Sequence, residues 1–171
     1  MKRFFYTSIF AVVFSLLLIT ACKKENKGVG PANNGNSNTP CSNYTFKNQN
    51  LSGKIGGNNW TCAQGIFRKS SFDSTKFSVY LSSKIYSDSC WNHSGTFVMG
   101  SIKNAIGLIH LGNYDNITLY DSISSINYIA SCGAIEVVTA DTVAGIFSIK
   151  VDARLNDDNY LNGNFTLKIC Q

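Results

Sequence analysis

Residues 143–155 read VAGIFSIKVDARL, and apolar and polar side chains alternate through most of this stretch. Alternation with a period of two is typical of a strand that packs one face on a core and leaves the other at the surface. The stretch therefore predicts a long, half-buried β-strand. Its core face would carry Val143, Gly145, Phe147, Ile149, Val151, Ala153 and Leu155, and its other face Ser148, Lys150, Asp152 and Arg154.

The same pattern continues on both sides of this strand. The turn-forming run NDDN at 156–159 leads into a second alternating segment, 164–169, so the two predict a C-terminal hairpin. Shorter segments of the same kind lie upstream, at 77–82, 97–99, 106–111, 126–130 and 135–138. About eight to ten strands fit, and no stretch has the period of a long amphipathic helix.

Short sequential strands favour an all-β fold, an antiparallel meander that forms a β-sandwich or a flattened barrel, because closure removes exposed sheet edges. The sequence does not choose between those two forms. It disfavours an immunoglobulin domain, since the expected order of Cys, Trp and Cys, with a Tyr two residues before the second Cys, is missing. Trp60, after the turn residues 56–59, is expected to close one end of the core, with a ligand platform as the alternative.

Composition limits the classes of function. The chain has 171 residues, 44% of them apolar and 15% charged, and a formal net charge of +5. These values fit one globular domain and exclude collagen, coiled coil and wholesale disorder. Basic residues occur at most two in a row, so the basic stripe of a nucleic-acid-binding protein is missing and no nucleic-acid partner is expected.

The N-terminal residues contain the most specific motif of the sequence. Lys2 and Arg3 precede an apolar stretch that ends in Ile19-Thr20-Ala21-Cys22. This arrangement resembles the lipobox of bacterial lipoproteins, in which the Cys is acylated and becomes the first residue after cleavage. We expect residues 1–21 to be a signal peptide and Cys22 to carry the lipid, palmitate among its chains. A transmembrane helix and a plain secretory signal are the alternatives.

Cleavage before Cys22 leaves 150 residues with 13 basic and 10 acidic side chains, so acyl chains rather than charge would hold the protein on a membrane. The inner-membrane retention signal of enteric bacterial lipoproteins would place an Asp directly after this Cys, and none is present. We therefore expect the outer membrane, with the domain on its periplasmic face or at the cell surface. Residues 22–40 are rich in Gly, Asn and Ser and lack aromatic side chains. They predict a lipidated flexible tether before a β-domain at residues 41–171.

Short motifs follow one another along this domain. They are LSGKIGGNNW at 51–60, SGTF at 94–97, GAIEV at 133–137, and VAGIF at 143–147 with NGNF at 162–165. In this order they resemble the aliphatic-x-Gly-x-x-Trp start, the Gly-Thr-aromatic and Gly-x-Ile-x-Ile strands and the Asn-Gly-x-Phe closing hairpin of small Bacteroidetes cell-envelope lipoprotein domains of unknown function. The resemblance implies a β fold and a cell-envelope setting, and it transfers no catalytic residue.

Five cysteines remain if Cys22 is lipidated, and an exported domain lies in an oxidising compartment where disulfides persist. They are Cys41, Cys62, Cys90, Cys132 and Cys170. Two bridges and one spare thiol allow five choices of the spare and three pairings for each, or 15 patterns. We expect a Cys41–Cys170 bridge, since it would join the two ends of the domain. Because no C-x-x-C pair occurs, we expect no metal site, and no cofactor motif is present.

Catalytic signatures are missing from the sequence. His93 and His110 are the histidines that could act as a base, and His110 is better explained as a strand-end surface residue or a satisfied core residue. No G-x-S-x-G elbow, H-E-x-x-H helix, phosphate-binding loop or dinucleotide fingerprint occurs. We therefore expect a protein that is not an enzyme, with an uncharacterised hydrolase as the lesser alternative.

The favoured hypothesis is a non-catalytic domain that binds a glycan, a peptide or an envelope protein through loops or an aromatic-rich face. Trp91, Tyr114 and Tyr120 are the possible contacts, and partial burial at strand ends is the simpler explanation for them. The alternative is a small-molecule carrier with a calycin-like barrel cavity. Large inward side chains argue for a filled interior instead. Those expected inward are Phe77, Phe97, Phe147 and Phe165.

Three tripeptides indicate a covalent modification. Asp73-Ser74-Thr75, Asp121-Ser122-Ile123 and Asp141-Thr142-Val143 resemble the Asp-Ser/Thr-apolar acceptor of Bacteroidetes protein O-glycosylation. The resemblance implies that sugars are attached at the middle hydroxyl of each tripeptide.

Overall fold

The computed structural model describes residues 41, 43–86, 90, 94–112 and 115–170, and within them the chain forms β-strands only, which confirms the all-β prediction. These residues contain no helix of the length and apolarity needed to cross a bilayer. The strands are β1 (Ser52–Ile55), β2 (Asn58–Thr61), β3 (Gln64–Lys69), β4 (Lys76–Ser82), β5 (Phe97–Lys103), β6 (Gly107–His110), β7 (Ile117–Asp121), β8 (Ile126–Ala130), β9 (Cys132–Asp141), β10 (Ile146–Asn156) and β11 (Asn159–Ile169).

These strands form one sheet in the order β6-β9-β10-β11-β3-β4-β5-β7-β8, with the β1–β2 hairpin attached to β11. The strand pairs along this order are antiparallel except for β11 and β3, which run parallel where Lys168 lies opposite Ile66 and Ile169 opposite Phe67. The sheet is therefore mixed: pairing is antiparallel on both sides of this junction, as predicted, but the order is not a simple meander, because β6 pairs with β9 and β5 pairs with β7. Side-chain alternation reports which face of a strand is buried and not the direction of its neighbour.

The sheet curls into a half-barrel whose concave side holds the core. β8 contacts β10 and β11, and β1 contacts β7. Phe67 of β3, Phe77 of β4 and Phe147 of β10 meet in the interior, with ring centroids 4.9, 5.2 and 5.3 Å apart. Since β4 and β10 both contribute rings to this core, the other face of each strand points away from it.

The β10–β11 hairpin follows the predicted alternation closely. The two strands pair from Ile146 opposite Lys168 to Asn156 opposite Asn159. The strand begins later than predicted, because Val143 is exposed in a turn where its amide donates to Asp141 Oδ1 at 3.0 Å. The fully buried apolar residues of the hairpin are Phe147, Ile149, Val151, Ala153, Leu161 and Leu167.

The β1–β2 hairpin closes one end of the half-barrel. Trp60 is 4% exposed and its indole N–H donates to the carbonyl of Thr96 at 3.4 Å, so it belongs to the core, as predicted, and is not a ligand platform. Gly56 in the turn has a φ of 59°, and a Cβ there would lie 2.5 Å from Asp121 Oδ2. Both the backbone conformation and the close approach therefore require glycine at this position.

Residues 43–50, called the strap below, cross the outer face of β10 and β11 and end at the edge of β11, where Asn50 forms a parallel bridge with Asn164. The amide of Thr45 donates to Asp152 Oδ2 at 2.9 Å, and the amide of Lys47 donates to Asn162 Oδ1 at 2.8 Å. Asn162 Nδ2 donates back to the carbonyl of Thr45 at 2.8 Å. The strap is thus fixed to two neighbouring strands by side chains from both.

The disulfides differ from the predicted one. Cys41 is bonded to Cys132 and Cys90 to Cys170, with Cα atoms 4.7 and 5.3 Å apart, so the predicted Cys41–Cys170 bridge is wrong. Cys41 lies beside the start of β9, where its carbonyl accepts from Gly133, whereas the amide of Cys170 donates to Phe67 of β3. The two ends of the domain reach different strands. Cys62 is a free, buried thiol.

Candidate functional site

The outer face of β4, β5 and β7, called the aromatic face below, presents aromatic and neutral polar side chains. Strand register places Tyr80, Met99 and Thr118 in one row across the three strands. The next row contains Phe97 opposite Tyr120, and their ring centroids lie 4.9 Å apart. All five side chains are half-buried, so each leaves part of its surface accessible to a ligand.

Phe97 was expected to point inward, and that prediction is wrong. Its neighbour Val98 is buried in the core, which places Phe97 on the opposite face of β5. The segment is apolar on both faces, so its period could not indicate which side meets the core. The other inward predictions are confirmed, since Phe77 and Phe147 are buried and Phe165 packs against the core while remaining half-buried.

A shallow cleft of about 210 Å³ opens on the aromatic face. Arg68 of β3 fixes one wall, because its Nη2 donates to the hydroxyl of Tyr80 at 3.1 Å and its guanidinium carbon lies 5.3 Å from the ring centroid. An ion pair of 3.2 Å between Lys76 and Asp115 holds the chain just before β7. The cleft is lined by Ser78, Tyr80, Met99, Gly100, Ser101, Asn116 and Thr118.

The chemistry of this cleft suits binding. Its lining offers hydroxyl groups, one carboxamide, backbone groups and an aromatic ring, and it contains no Lys, Arg, His, Asp or Glu. These groups can both donate and accept hydrogen bonds with an uncharged polar ligand.

A second cleft, called the strap cleft below, lies between the strap and the sheet and has a volume of about 260 Å³. Asp152 is 4% exposed there, and its Oδ1 lies 3.2 Å from Nε of Arg154. The alternation of residues 143–155 had placed both side chains on the solvent face. The cleft is lined by Asn43, Tyr44, Thr45, Lys47, Asp152, Arg154, Tyr160 and Asn162.

The predicted contact residues are only partly accounted for. Tyr120 lies on the aromatic face against Phe97, and the sequence reasoning missed its neighbour Tyr80, although Tyr80 alternates with buried residues of the segment 77–82. His110 is exposed at the end of β6, 5.5 Å from the ring of Tyr44, as expected for a strand-end surface residue. The remaining predicted residues, Cys22, Trp91, His93 and Tyr114, lie outside the described part of the chain.

The three predicted O-glycosylation hydroxyls, of Ser74, Ser122 and Thr142, belong to exposed turn residues. In each tripeptide the Asp side chain accepts from the amide two residues later, with distances of 2.9, 3.0 and 3.0 Å at Thr75, Ile123 and Val143. This turn leaves the middle residue at the surface. The geometry allows access to a modifying enzyme, and the modification itself stays a prediction.

Cys62 is the remaining nucleophilic side chain of interest. Burial raises the pKa of its thiol to about 12, and its Sγ lies 3.5 Å from the carbonyl of Gln64. The thiolate is the reactive form of cysteine, so this residue is inert at neutral pH. Among the described residues, no three His, Cys, Asp or Glu side chains come together as metal ligands do.

No family model matches the chain, and comparison with curated proteins and with solved structures gives no match.

Proposed function

We propose that the chain is a lipid-anchored lipoprotein of the outer membrane whose β-domain binds a glycan on the aromatic face and catalyses no reaction. The lipobox ending at Cys22 supports the anchor. The observation that carries the binding function is the uncharged cleft beside Tyr80 on an otherwise regular sheet face. A peptide or envelope protein is the competing ligand.

A glycan matches this cleft better than a peptide does. Sugar hydroxyl groups both donate and accept, and so do the hydroxyls of Ser78, Ser101 and Thr118 and the carboxamide of Asn116. The apolar C–H face of a sugar ring packs against aromatic side chains, which the ring of Tyr80 provides at the cleft and the Phe97–Tyr120 pair provides one row away. The volume of about 210 Å³ lies below the roughly 300–1,000 Å³ of drug-sized pockets, which suits one or two sugar units.

The interior of the half-barrel argues against the carrier alternative. Phe67, Phe77 and Phe147 fill the space between β3, β4 and β10 with rings in mutual contact. A carrier of the calycin type would need that space for its ligand. The outer face is therefore the better location for a binding site.

A matched pair of substitutions tests the glycan site. Thr118→Tyr adds a large side chain inside the cleft, and Thr166→Tyr adds the same side chain to an exposed position of β11 away from it. Both are outward strand positions that accept Tyr, so the fold should tolerate them. On an array of defined neutral oligosaccharides, we expect the full chain and Thr166→Tyr to bind the same sugars and Thr118→Tyr to lose at least about tenfold in affinity.

Circular dichroism spectra of both variants provide the folding control. Equal binding by Thr118→Tyr and Thr166→Tyr would remove the aromatic face from consideration. If the full chain binds none of the oligosaccharides but binds envelope peptides, the result would favour a peptide as the ligand.

The anchor is tested separately from the binding site. Cells expressing the chain are grown with radiolabelled palmitate, and we expect label in the wild-type protein and none in Cys22→Ser. Mass spectrometry of the purified protein should place its first residue at Cys22. An unlabelled protein that retains Met1 would contradict the lipoprotein proposal and leave the glycan site untouched.

A further inference from the structure

The strap cleft has an excess of hydrogen-bond donors. Arg154 lies with its Nη2 donating to the carbonyl of Asn43. Its Nε is buried and makes no hydrogen bond within the described residues, although it stands 3.2 Å from Asp152 Oδ1 as an ion pair. A guanidinium has five N–H donors in a fixed fork. Nε is enclosed beside Asp152 and one Nη2 hydrogen is used, so the donors left for another acceptor are on the two Nη groups.

Positive charge is concentrated around the same cleft. Strand register places Tyr160 between Arg154 on β10 and Lys54 on β1, and Lys47 lines the cleft from the strap. Neither lysine forms an ion pair with a carboxylate in the described part of the chain. Three cationic side chains thus surround one tyrosine.

The nearby carboxylates offset only part of this charge. Asp152 is nearly inaccessible, and its two oxygens are engaged by the amide of Thr45 and by Arg154, whose charge it offsets. Lys47 and Lys54 carry the positive charge that remains at the cleft. Asp158, in the turn that closes the β10–β11 hairpin, lies beside Gly57 at the β1–β2 turn. A ligand entering the cleft therefore meets donors and cations first.

We propose that the strap cleft binds the carboxylate of an acidic sugar, such as a hexuronate unit of an envelope polysaccharide. The carboxylate would accept charge-assisted hydrogen bonds from Arg154 and Lys47, the residues whose donors are in excess. Tyr44 and Tyr160 form part of the walls, and aromatic walls suit the apolar face of a sugar ring. A volume of about 260 Å³ is enough for one such unit.

This site is independent of the proposed glycan site, because the two clefts share no lining residue and lie on different strands of the sheet. A polysaccharide bound at both would be held by a neutral segment on one face and an acidic unit on the other. Failure of either site leaves the other standing, since their tests use different ligands and different variants.

The test uses the full chain with glucuronate, glucose and acetate as separate ligands, followed by NMR of the Arg154 Nε–H and Asn162 side-chain amide signals. We expect glucuronate to shift both signals and to bind more tightly than either other ligand, with an affinity that falls as salt is added. Lys47→Gln should weaken glucuronate binding about tenfold, the usual effect of losing one charge-assisted hydrogen bond. Tyr160→Phe, which removes one hydroxyl, should weaken it about threefold.

The controls make the same chemical changes elsewhere. Lys103→Gln on β5 and Tyr128→Phe on β8 lie away from the strap and should leave glucuronate affinity unchanged. Equal affinity for glucose and glucuronate would overturn the charge recognition. Equal affinity for acetate and glucuronate would overturn the assignment of the aromatic walls to a sugar ring. Unshifted Arg154 and Asn162 signals at saturating glucuronate would overturn the location.

Discussion

Two outer faces of one curled sheet differ in solvent exposure in this protein. On the aromatic face, the side chains of Tyr80, Met99 and Thr118 remain half-exposed. On β10 and β11 the strap lies over the sheet, and Asp152, in the middle of a face that alternation assigns to solvent, is 4% exposed. Burial of a polar strand residue is thus decided by whether another part of the chain crosses the strand, and not by the strand's own pattern.

Releasing the strap should have the largest effect on stability. Cys41→Ser with Cys132→Ser removes the bridge that ends the strap, and the sequence separation of 91 residues makes the expected loss about 4–5 kcal/mol in the chain-entropy model. Urea unfolding of the full chain measures this loss. Hydrogen exchange at the amides of Thr45 and Lys47 should also become faster in this variant. Their acceptors, Asp152 and Asn162, remain, but the strap is then held at one end only.

The other disulfide is the matched control. Cys90→Ser with Cys170→Ser removes a bridge of similar separation, 80 residues, so the entropic loss should be similar. The amides of Thr45 and Lys47 should nevertheless stay protected relative to global unfolding. If both double variants increase hydrogen exchange at these two amides equally, the strap is protected only by the global stability of the domain. The Cys41–Cys132 bridge would then have no local effect on the strap.

Asp152→Ala should have the next largest effect. The substitution leaves the buried Nε of Arg154 without its counter-ion and the amide of Thr45 without its acceptor. Breaking a buried pair costs about 3–5 kcal/mol, and because Arg154 retains a fifth of its side-chain exposure we expect about 2–3 kcal/mol. Ser101→Ala, on the uncovered face, should change the free energy of unfolding by less than about 0.5 kcal/mol. Equal losses would show that coverage by the strap is irrelevant.

Asn162→Ala addresses the strap at a single side chain. It removes two hydrogen bonds of 2.8 Å, one from the amide of Lys47 and one to the carbonyl of Thr45, so the expected loss is about 1–2 kcal/mol. Asn127→Ala makes the same substitution on the exposed part of β8 and should change stability by less than about 0.5 kcal/mol. Thermal unfolding of the two variants side by side gives the difference, and a loss at Asn127 as large as at Asn162 would contradict it.

The sequence predicted those features that depend on the residue pattern of one continuous segment. The core face of β10, with Phe147, Ile149 and Val151, follows from a period of two and is buried as expected. Trp60 was placed correctly, because a large aromatic side chain after a glycine turn has few alternatives to the core. All-β class was predicted for the same reason, since it needs only the period and the turns.

Features that depend on which distant segments meet could not be predicted. The parallel pairing of β3 with β11, the bridges of Cys41 with Cys132 and of Cys90 with Cys170, and the strap over Asp152 all join residues far apart in the sequence. Phe97 was misplaced because β5 is apolar on both faces, so its own pattern gave no preference. Both clefts also depend on distant segments meeting, since neither has all its lining residues on one strand.

Asp121 is a second buried carboxylate, at the end of the half-barrel. Its substitution should give the smallest of these effects, a change in how the free energy of unfolding depends on pH. It continues the inward face of β7 beneath the β1–β2 turn, where it is 4% exposed. The hydroxyl of Ser124, donating to Asp121 Oδ2 at 2.6 Å, lowers the pKa of this carboxyl, aided by the amide of Ile123 and opposed by burial. A carboxyl with a lowered pKa stabilises the fold above its ordinary pKa of about 3.8, and this contribution disappears as the pH falls through the lowered value.

The free energy of unfolding should therefore decline between pH 5 and pH 2 less steeply in Asp121→Asn than in the wild-type chain. Ser124→Ala removes the largest cause of the lowered pKa and should flatten the same region partly. The measurement is urea unfolding at half-unit steps of pH, with each variant compared to wild type at the same pH. A polar residue covered by a turn would then follow the same rule as Asp152 under the strap, although one lies on the inner face and the other on the outer. Identical slopes in all three proteins would restrict the rule to the strap.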